Sequence, residues 1–177
     1  MNIFSDKNIS IAAPEDIPVL VALLNKAYRG EDSRQGWTTE AHLIAGEVRT
    51  DEHSVKEVIG KEGSVMLKYN NDEKQVIGCV NLQQHENKIY LGMFAVSPQL
   101  QGGGVGKKLL HAADEYAKYN NCKAVYMTVI SARTELIDWY KRHGYTDTGE
   151  RKAFEEDGLT GKHLQKLEFS VLEKAVS

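Results

Sequence analysis

The sequence predicts a mixed α+β domain, a central mixed sheet with helices on both faces. Three observations lead to that class. Apolar residues recur at helical three- and four-residue steps in some segments and at two-residue steps in others. A strand–helix–strand unit between residues 87 and 130 has the spacing that requires its two strands to run parallel. The composition, 41% hydrophobic and 27% charged with three prolines in 177 residues, suits one soluble domain spanning residues 1–177.

The elements follow in order. Residues 9–12 (Ile-Ser-Ile-Ala) read as a first strand. Pro14, Glu15 and Asp16 suit the opening turn of a helix, where a missing N–H is harmless and negative charge is favoured. Ile17, Leu20, Val21, Leu24, Ala27 and Tyr28 form its apolar stripe, which ends at Arg29-Gly30. Residues 31–37 read as a loop. Thr38 is a candidate N-cap for a second helix to about Gly46, and residues 51–60 for a short third one. Val65, Leu67 and Tyr69 alternate as a strand, Asn70-Asn71-Asp72 signals a turn, and Gln75–Gln83 returns. Asn87–Val96 completes a meander; its inner part is almost wholly apolar, so both of its faces should be covered. A helix over Val105–Tyr119, a strand over Val125–Ile130 and a helix over Thr134–Arg142, stopped by Gly144, come next. Tyr145–Gly149 and Leu164–Leu172 read as closing strands.

Charge and composition narrow the function classes. A formal charge of −3 lacks the basic excess that phosphate backbones require, so no nucleic-acid partner is expected. No apolar run approaches the roughly 20 residues that span a bilayer, and Met1–Asp6 does not resemble a signal peptide. A cytoplasmic protein with no membrane partner is the expectation. Cys79 and Cys122 lie far apart with no paired ligand spacing, and the six histidines are scattered, so no metal site is expected. Cys79 sits within an apolar strand pattern and reads as a small buried thiol.

The informative stretch runs Val96-Ser97-Pro98-Gln99-Leu100-Gln101-Gly102-Gly103-Gly104-Val105-Gly106-Lys107-Lys108. Four glycines in five positions separate a buried strand from an amphipathic helix. Such a loop lets a ligand approach the backbone amides, and the free N–H groups of the helix start attract phosphate. A P-loop would need Gly where Gln101 stands and Ser or Thr where Lys108 stands. A dinucleotide fingerprint fails as well, because Lys107 or Leu109 occupies its third glycine. A purely structural glycine turn is the plain alternative.

Gln101-Gly102-Gly103-Gly104-Val105-Gly106 resembles the Q/R-x-x-G-x-G/A loop of the GNAT acetyltransferases. The similarity extends to Met93–Pro98 before the loop, to Tyr140-Lys141-Arg142-His143-Gly144-Tyr145 (the family's YxxxGF/Y) after it, and to Pro14–Ile17 at the opening. It covers residues 8–172. The resemblance implies a GNAT fold: a mostly antiparallel sheet whose fourth and fifth strands are parallel and splay apart, often at a bulge. It implies acetyl-CoA as co-substrate, with its pantetheine arm pairing to the backbone of Phe94, Ala95 and Val96. Its pyrophosphate would lie on the amides of Gln101, Gly102, Gly103, Gly104, Val105 and Gly106. Lys107 or Lys108 would add charge toward the phosphates or remain solvated.

Acetyl transfer to an amine needs a neutral nucleophile, an oriented thioester and a proton for the thiolate. Tyr140 matches the family tyrosine that serves the sulfur; packing in the core is its plain alternative. The family's strand glutamate is replaced by Tyr90, so a water chain is the expected base, with Glu40 and Glu47 as lesser candidates. The family's Asn after the fifth strand is missing from Ser131-Ala132-Arg133-Thr134; Arg133 either meets an acidic substrate or CoA, or faces solvent. The resemblance places the acceptor near Tyr28, Trp37 and Glu40, with Phe154 nearby. The resemblance implies a primary amine of a small molecule or peptide as acceptor, and homodimers are common among relatives. The rival readings are a non-catalytic acyl-CoA sensor and a transferase for a longer acyl chain.

Overall fold

The computed structural model describes residues 3–29, 40–41, 43–45, 49–100, 103–156 and 161–176. Strand β1 (Ile9–Ile11) leads to a single 3-10 turn at Pro14–Asp16 and then to α1 (Ile17–Tyr28). The Asp16 carboxylate holds this entry: it accepts from the Ala13 N–H at 2.8 Å and pairs with Lys68 at 3.0 Å. Next come β2 (Ile44–Ala45) and α2 (Glu52–Gly60), whose N-cap Asp51 accepts from the Ser54 N–H at 2.8 Å. The meander is β3 (Ser64–Asn70), β4 (Val76–His85) and β5 (Lys88–Val96). Then follow α3 (Val105–Tyr119), β6 (Ala124–Ile130), α4 (Thr134–Arg142), β7 (Thr146–Phe154), β8 (Lys162–His163) and β9 (Leu167–Ala175). Among the described residues, no helix is long and apolar enough to cross a membrane.

Seven strands form one sheet in the order β1-β3-β4-β5-β6-β9-β7, antiparallel throughout except for the parallel pair β5–β6. These two are the fourth and fifth strands of the sequence reading, renumbered because β2 intervenes. The two-residue period of the strands sends neighbours to opposite faces. Leu67, Val80 and Phe94 pack under α3 and α4 against Leu109, Ala113 and Leu136. Met66, Cys79 and Ala95 pack under α1 and α2 against Leu20, Leu24 and Val55. Helices therefore cover both faces of β5, which accounts for its nearly unbroken apolar run. Each fully buried leucine contributes about 1.5–3 kcal/mol relative to exposure.

Helix α3 lies unusually close to β4 at Gly78. A Cβ there would stand 3.0 Å from Val105 Cγ1 and 3.1 Å from Leu109 Cδ1. Gly78→Val should therefore overpack this contact and cost about 1–3 kcal/mol. For a chain of this length, thermal melts would show Tm falling by roughly 2–4 °C per kcal/mol. An unchanged Tm would mean that α3 is free to shift outward.

Three expectations need correction. The helix expected over Thr38–Gly46 is not present at its far end, because Ile44–Ala45 pairs antiparallel with Lys162–His163. Glu40 instead closes a turn, its carbonyl accepting from the N–H groups of Leu43 and Ile44, both at 2.9 Å. The strand expected over Tyr145–Gly149 runs on to Phe154, and Gly149 (φ +87°) sits inside it, where the register against β9 shifts between Asp147 and Arg151. The Arg151 guanidinium bridges that irregularity with two 2.9 Å bonds to the Asp147 carboxylate. The last strand, expected over Leu164–Leu172, begins only at Leu167 and runs on to Ala175 as β9, with the short β8 standing before it.

Candidate active site

Strands β5 and β6 are paired only at Lys88↔Ala124, Ile89↔Val125 and Tyr90↔Tyr126. Past Tyr90 the register ends, and a cavity of about 220 Å³ opens between them, walled by Leu91–Phe94 on one side and Met127–Ile130 on the other. A bulge in β5 lies at the parting. Cys79 faces Ala95 and Asn81 faces Gly92, so Val80 alone stands opposite both Met93 and Phe94. Met93 has φ +44°, uncommon for a residue with a side chain. Two bonds hold the bulge: the Cys79 thiol donates to the Met93 carbonyl at 3.4 Å, and the Tyr28 hydroxyl donates to the Phe94 carbonyl. Burial raises both donors to about 12, so both keep their protons at neutral pH. Cys79 is thus buried as expected, and it also secures the bulge.

Helix α3 begins beside this opening. Gly104 is its N-cap at φ +87°, a left-handed conformation that favours glycine, and open space surrounds the position where a Cβ would lie. Among the described residues no side chain caps the helix, and its first internal bond runs from the Lys108 N–H to the Gly104 carbonyl. The N–H groups of Val105, Gly106 and Lys107 precede that bond. Gly103 is exposed, and its N–H donates to the Leu100 carbonyl at 3.3 Å. Lys107 is exposed, whereas Lys108 is drawn to the Tyr69 hydroxyl at 3.3 Å. Gln101 and Gly102 lie outside the described residues.

Tyr140 projects from α4 into the cavity wall. Its ring is buried in an aromatic cluster with Phe94 (6.2 Å between centroids), Trp139 (5.2 Å) and Tyr145 (5.8 Å). Among the described residues its hydroxyl has no hydrogen-bond partner. Burial, with a smaller contribution from Tyr28, pushes its pKa well above 10.0, so it is a phenol and a proton donor at neutral pH. A Cβ at Gly106 would lie 3.4 Å from both Phe94 and Trp139, so the start of α3 rests on the same cluster.

The other end of the cavity is polar. Glu40 is buried, one carboxylate oxygen facing Arg29 Nη1 and the other facing Arg133 Nη1 at 3.4 Å. With both oxygens engaged by guanidinium groups, it is poorly placed to act as a base. Burial pulls the Arg29 pKa down from its ordinary value, and Glu40 offsets part of that. Arg133 is only 7% exposed, which excludes the solvent-facing alternative. The Arg133 and Arg49 guanidiniums lie over the Tyr28 ring, at 5.9 and 5.7 Å from its centroid. Tyr90 bridges the two strands below the opening, its hydroxyl 3.2 Å from Thr128 Oγ1. Phe154 lines the far wall, stacked on Phe169 at 4.4 Å.

Tyr28, Glu40, Phe94 and Tyr140 thus surround one cavity, and Ala95 and Val96 continue the strand that forms its wall. Trp37 and Glu47 lie outside the described residues. Sequence reasoning missed Arg49, which has no periodic neighbour or motif. Its place is set from α1, where Asn25 Oδ1 accepts from the N–H groups of Arg49 and Thr50, the latter at 2.8 Å.

A family model described as an acetyltransferase (GNAT) domain matches residues 39–167. The spermine/spermidine N(1)-acetyltransferase of Bacillus subtilis (strain 168) is 31% identical over 64 residues. That match spans 36% of this chain and 42%, under half, of the relative. Among solved structures, the ribosomal-protein-S18-alanine N-acetyltransferase of Escherichia coli superposes with a TM-score of 0.71 at 15% identity, covering 96% of this chain and 93% of that one. The ribosomal-protein-alanine N-acetyltransferase of Brucella melitensis gives 0.68 at 20% identity, covering 95% and 99%. At these identities the likeness is one of fold.

Proposed function

This chain belongs to the GNAT acetyltransferase family, and on that premise we propose that it transfers an acetyl group from acetyl-CoA directly to a primary amine. The observation that carries the reading is the cavity opened by the parting of β5 and β6, with the glycine-capped start of α3 packed on its wall residue Phe94 and with a Tyr140 hydroxyl that has no partner among the described residues. When bound, acetyl-CoA supplies an activated thioester carbonyl and a thiolate leaving group.

The residues present fit that co-substrate. The open space at Gly104 and the first-turn N–H groups of Val105, Gly106 and Lys107 suit a diphosphate, with Gly103 and the exposed Lys107 beside them. Gln101 and Gly102 extend that loop in the proposal. Phe94, Ala95 and Val96 offer strand backbone to an extended arm. The bond from Cys79 fixes the Met93–Phe94 peptide by its carbonyl, so the Phe94 N–H points away from Cys79. That N–H is the proposed donor to the developing oxyanion. Tyr140 donates its proton toward the leaving sulfur. No described carboxylate lining the cavity is free of guanidinium contact, so water removes the proton of the incoming amine. Tyr28 acts through the Phe94 carbonyl, and Glu40 positions the arginines; Trp37 is proposed to border the acceptor.

Acetyl-CoA at ~100 times its Kd should stabilise the fold by about 2.7 kcal/mol, visible as a rise in Tm. A panel of primary amines should then release free CoA. No melting shift with acetyl-CoA would overturn the transferase reading, while a shift without CoA release on any amine would favour a non-catalytic sensor.

A further inference from the structure

Resting on that reading, we infer that the acceptor amine also carries an anionic group, carboxylate or phosphonate in size, which Arg49 receives at the polar end of the cavity. The charged residues that line the cavity among those described are Glu40, Arg49 and Arg133. Glu40 is already shared by Arg29 and Arg133. Among the described residues two guanidiniums share that one carboxylate, and Arg49 adds a separate positive charge to the cavity wall.

Arg49 is the group available to a ligand. Its guanidinium lies over the Tyr28 ring, and among the described residues it has no carboxylate or hydrogen-bond acceptor. It is a built position rather than a loose surface side chain. Asn25 clasps the backbone on both sides, accepting from the Thr50 N–H at 2.8 Å and donating to the Thr50 carbonyl at 3.2 Å. The Tyr28 ring that carries Arg49 is itself tied to the β5 bulge through the Phe94 carbonyl. A planar guanidinium on the wall of a small cavity recognises a carboxylate or phosphonate through two parallel bonds. A polyamine would bring further positive charge toward the Arg49 guanidinium.

The same cations assist the chemistry. Positive charge near an ammonium favours its neutral, nucleophilic form. An amino acid-like acceptor would thus be held by its anion and deprotonated more readily at its nitrogen, in a site where Glu40, the carboxylate among the described lining residues, is occupied.

The test compares glycine, β-alanine, γ-aminobutyrate and aminomethylphosphonate with glycinamide, β-alaninamide, propylamine and spermidine as acceptors, using CoA release. The acids should exceed their amides at least tenfold in kcat/KM, about 1.4 kcal/mol, chiefly through KM, with spermidine slowest. Arg49→Gln should collapse the acid-to-amide ratio at least tenfold, and Arg49→Lys, which keeps the charge but not the paired bonds, should restore only part of it. The acetyl-CoA melting shift of each variant reports whether it is folded. Amides equal to acids, spermidine fastest, or an Arg49→Gln protein that keeps the ratio would each overturn the inference while leaving the transferase reading intact. Acetyl-CoA binding without turnover of any acid would overturn it too. Failure of acetyl-CoA to bind at all would instead remove the reading on which it rests.

Discussion

Tyr140→Phe should lower kcat roughly 10²-fold, the lower end of what a positioned acid contributes, while the KM for acetyl-CoA stays within about twofold. The substitution removes one oxygen that has no partner among the described residues and leaves the ring among Phe94, Trp139 and Tyr145. The melting temperature should therefore hardly move, so lost turnover could not be blamed on lost fold. Steady-state kinetics and a melt on the same preparation decide it. Undiminished kcat would return Tyr140 to the status of a core aromatic. The pH dependence follows from the same residue. Burial raises Tyr140 well above 10.0 and Tyr28 to about 12, so both retain their protons throughout the range below 10.0. The kcat profile should show no falling alkaline limb there, and one centred near 8 or 9 would point to a different proton donor.

Glu40→Ala should cost about 3–5 kcal/mol, the usual penalty for deleting one partner of a buried ion pair. The carboxylate sits between two guanidiniums, and Arg29 is 2% exposed. Urea unfolding would show a lower midpoint at unchanged slope. Glu40→Gln keeps the shape and one acceptor and should cost less. A loss below about 1 kcal/mol for the alanine variant would mean that other groups carry the arginines. The distinction matters for function, because a carboxylate committed to holding Arg29 and Arg133 is structural support for the pocket and not its base.

The parts of the molecule legible in the sequence are those where local chemistry and tertiary structure agree. Helix α3 was readable at both ends, because Gly104 and Asn120-Asn121 bound an amphipathic run whose buried face includes Leu109, Leu110 and Ala113. The β5–α3–β6 unit was readable because a parallel connection needs that length of chain. What failed depends on distant partners. Ile44–Ala45 is a strand only because Lys162–His163 lies beside it, and no periodicity within residues 38–46 records that. Gly149 was read as a stop because a glycine in a bulge and one in a turn look alike from sequence. Arg49 was invisible for a similar reason. Its guanidinium reaches the cavity through a clasp made by Asn25, a polar residue on α1 that the apolar stripe did not include.

The two borders of the seven-stranded sheet bear on how the protein behaves when concentrated. On one side stands β1, only three residues long. On the other stands β7, kinked at Gly149 and studded with Asp147, Glu150, Arg151 and Lys152. A short margin and a twisted, charged one both make poor templates for a neighbouring chain's backbone. Copies of this molecule should therefore resist stacking into extended cross-strand aggregates.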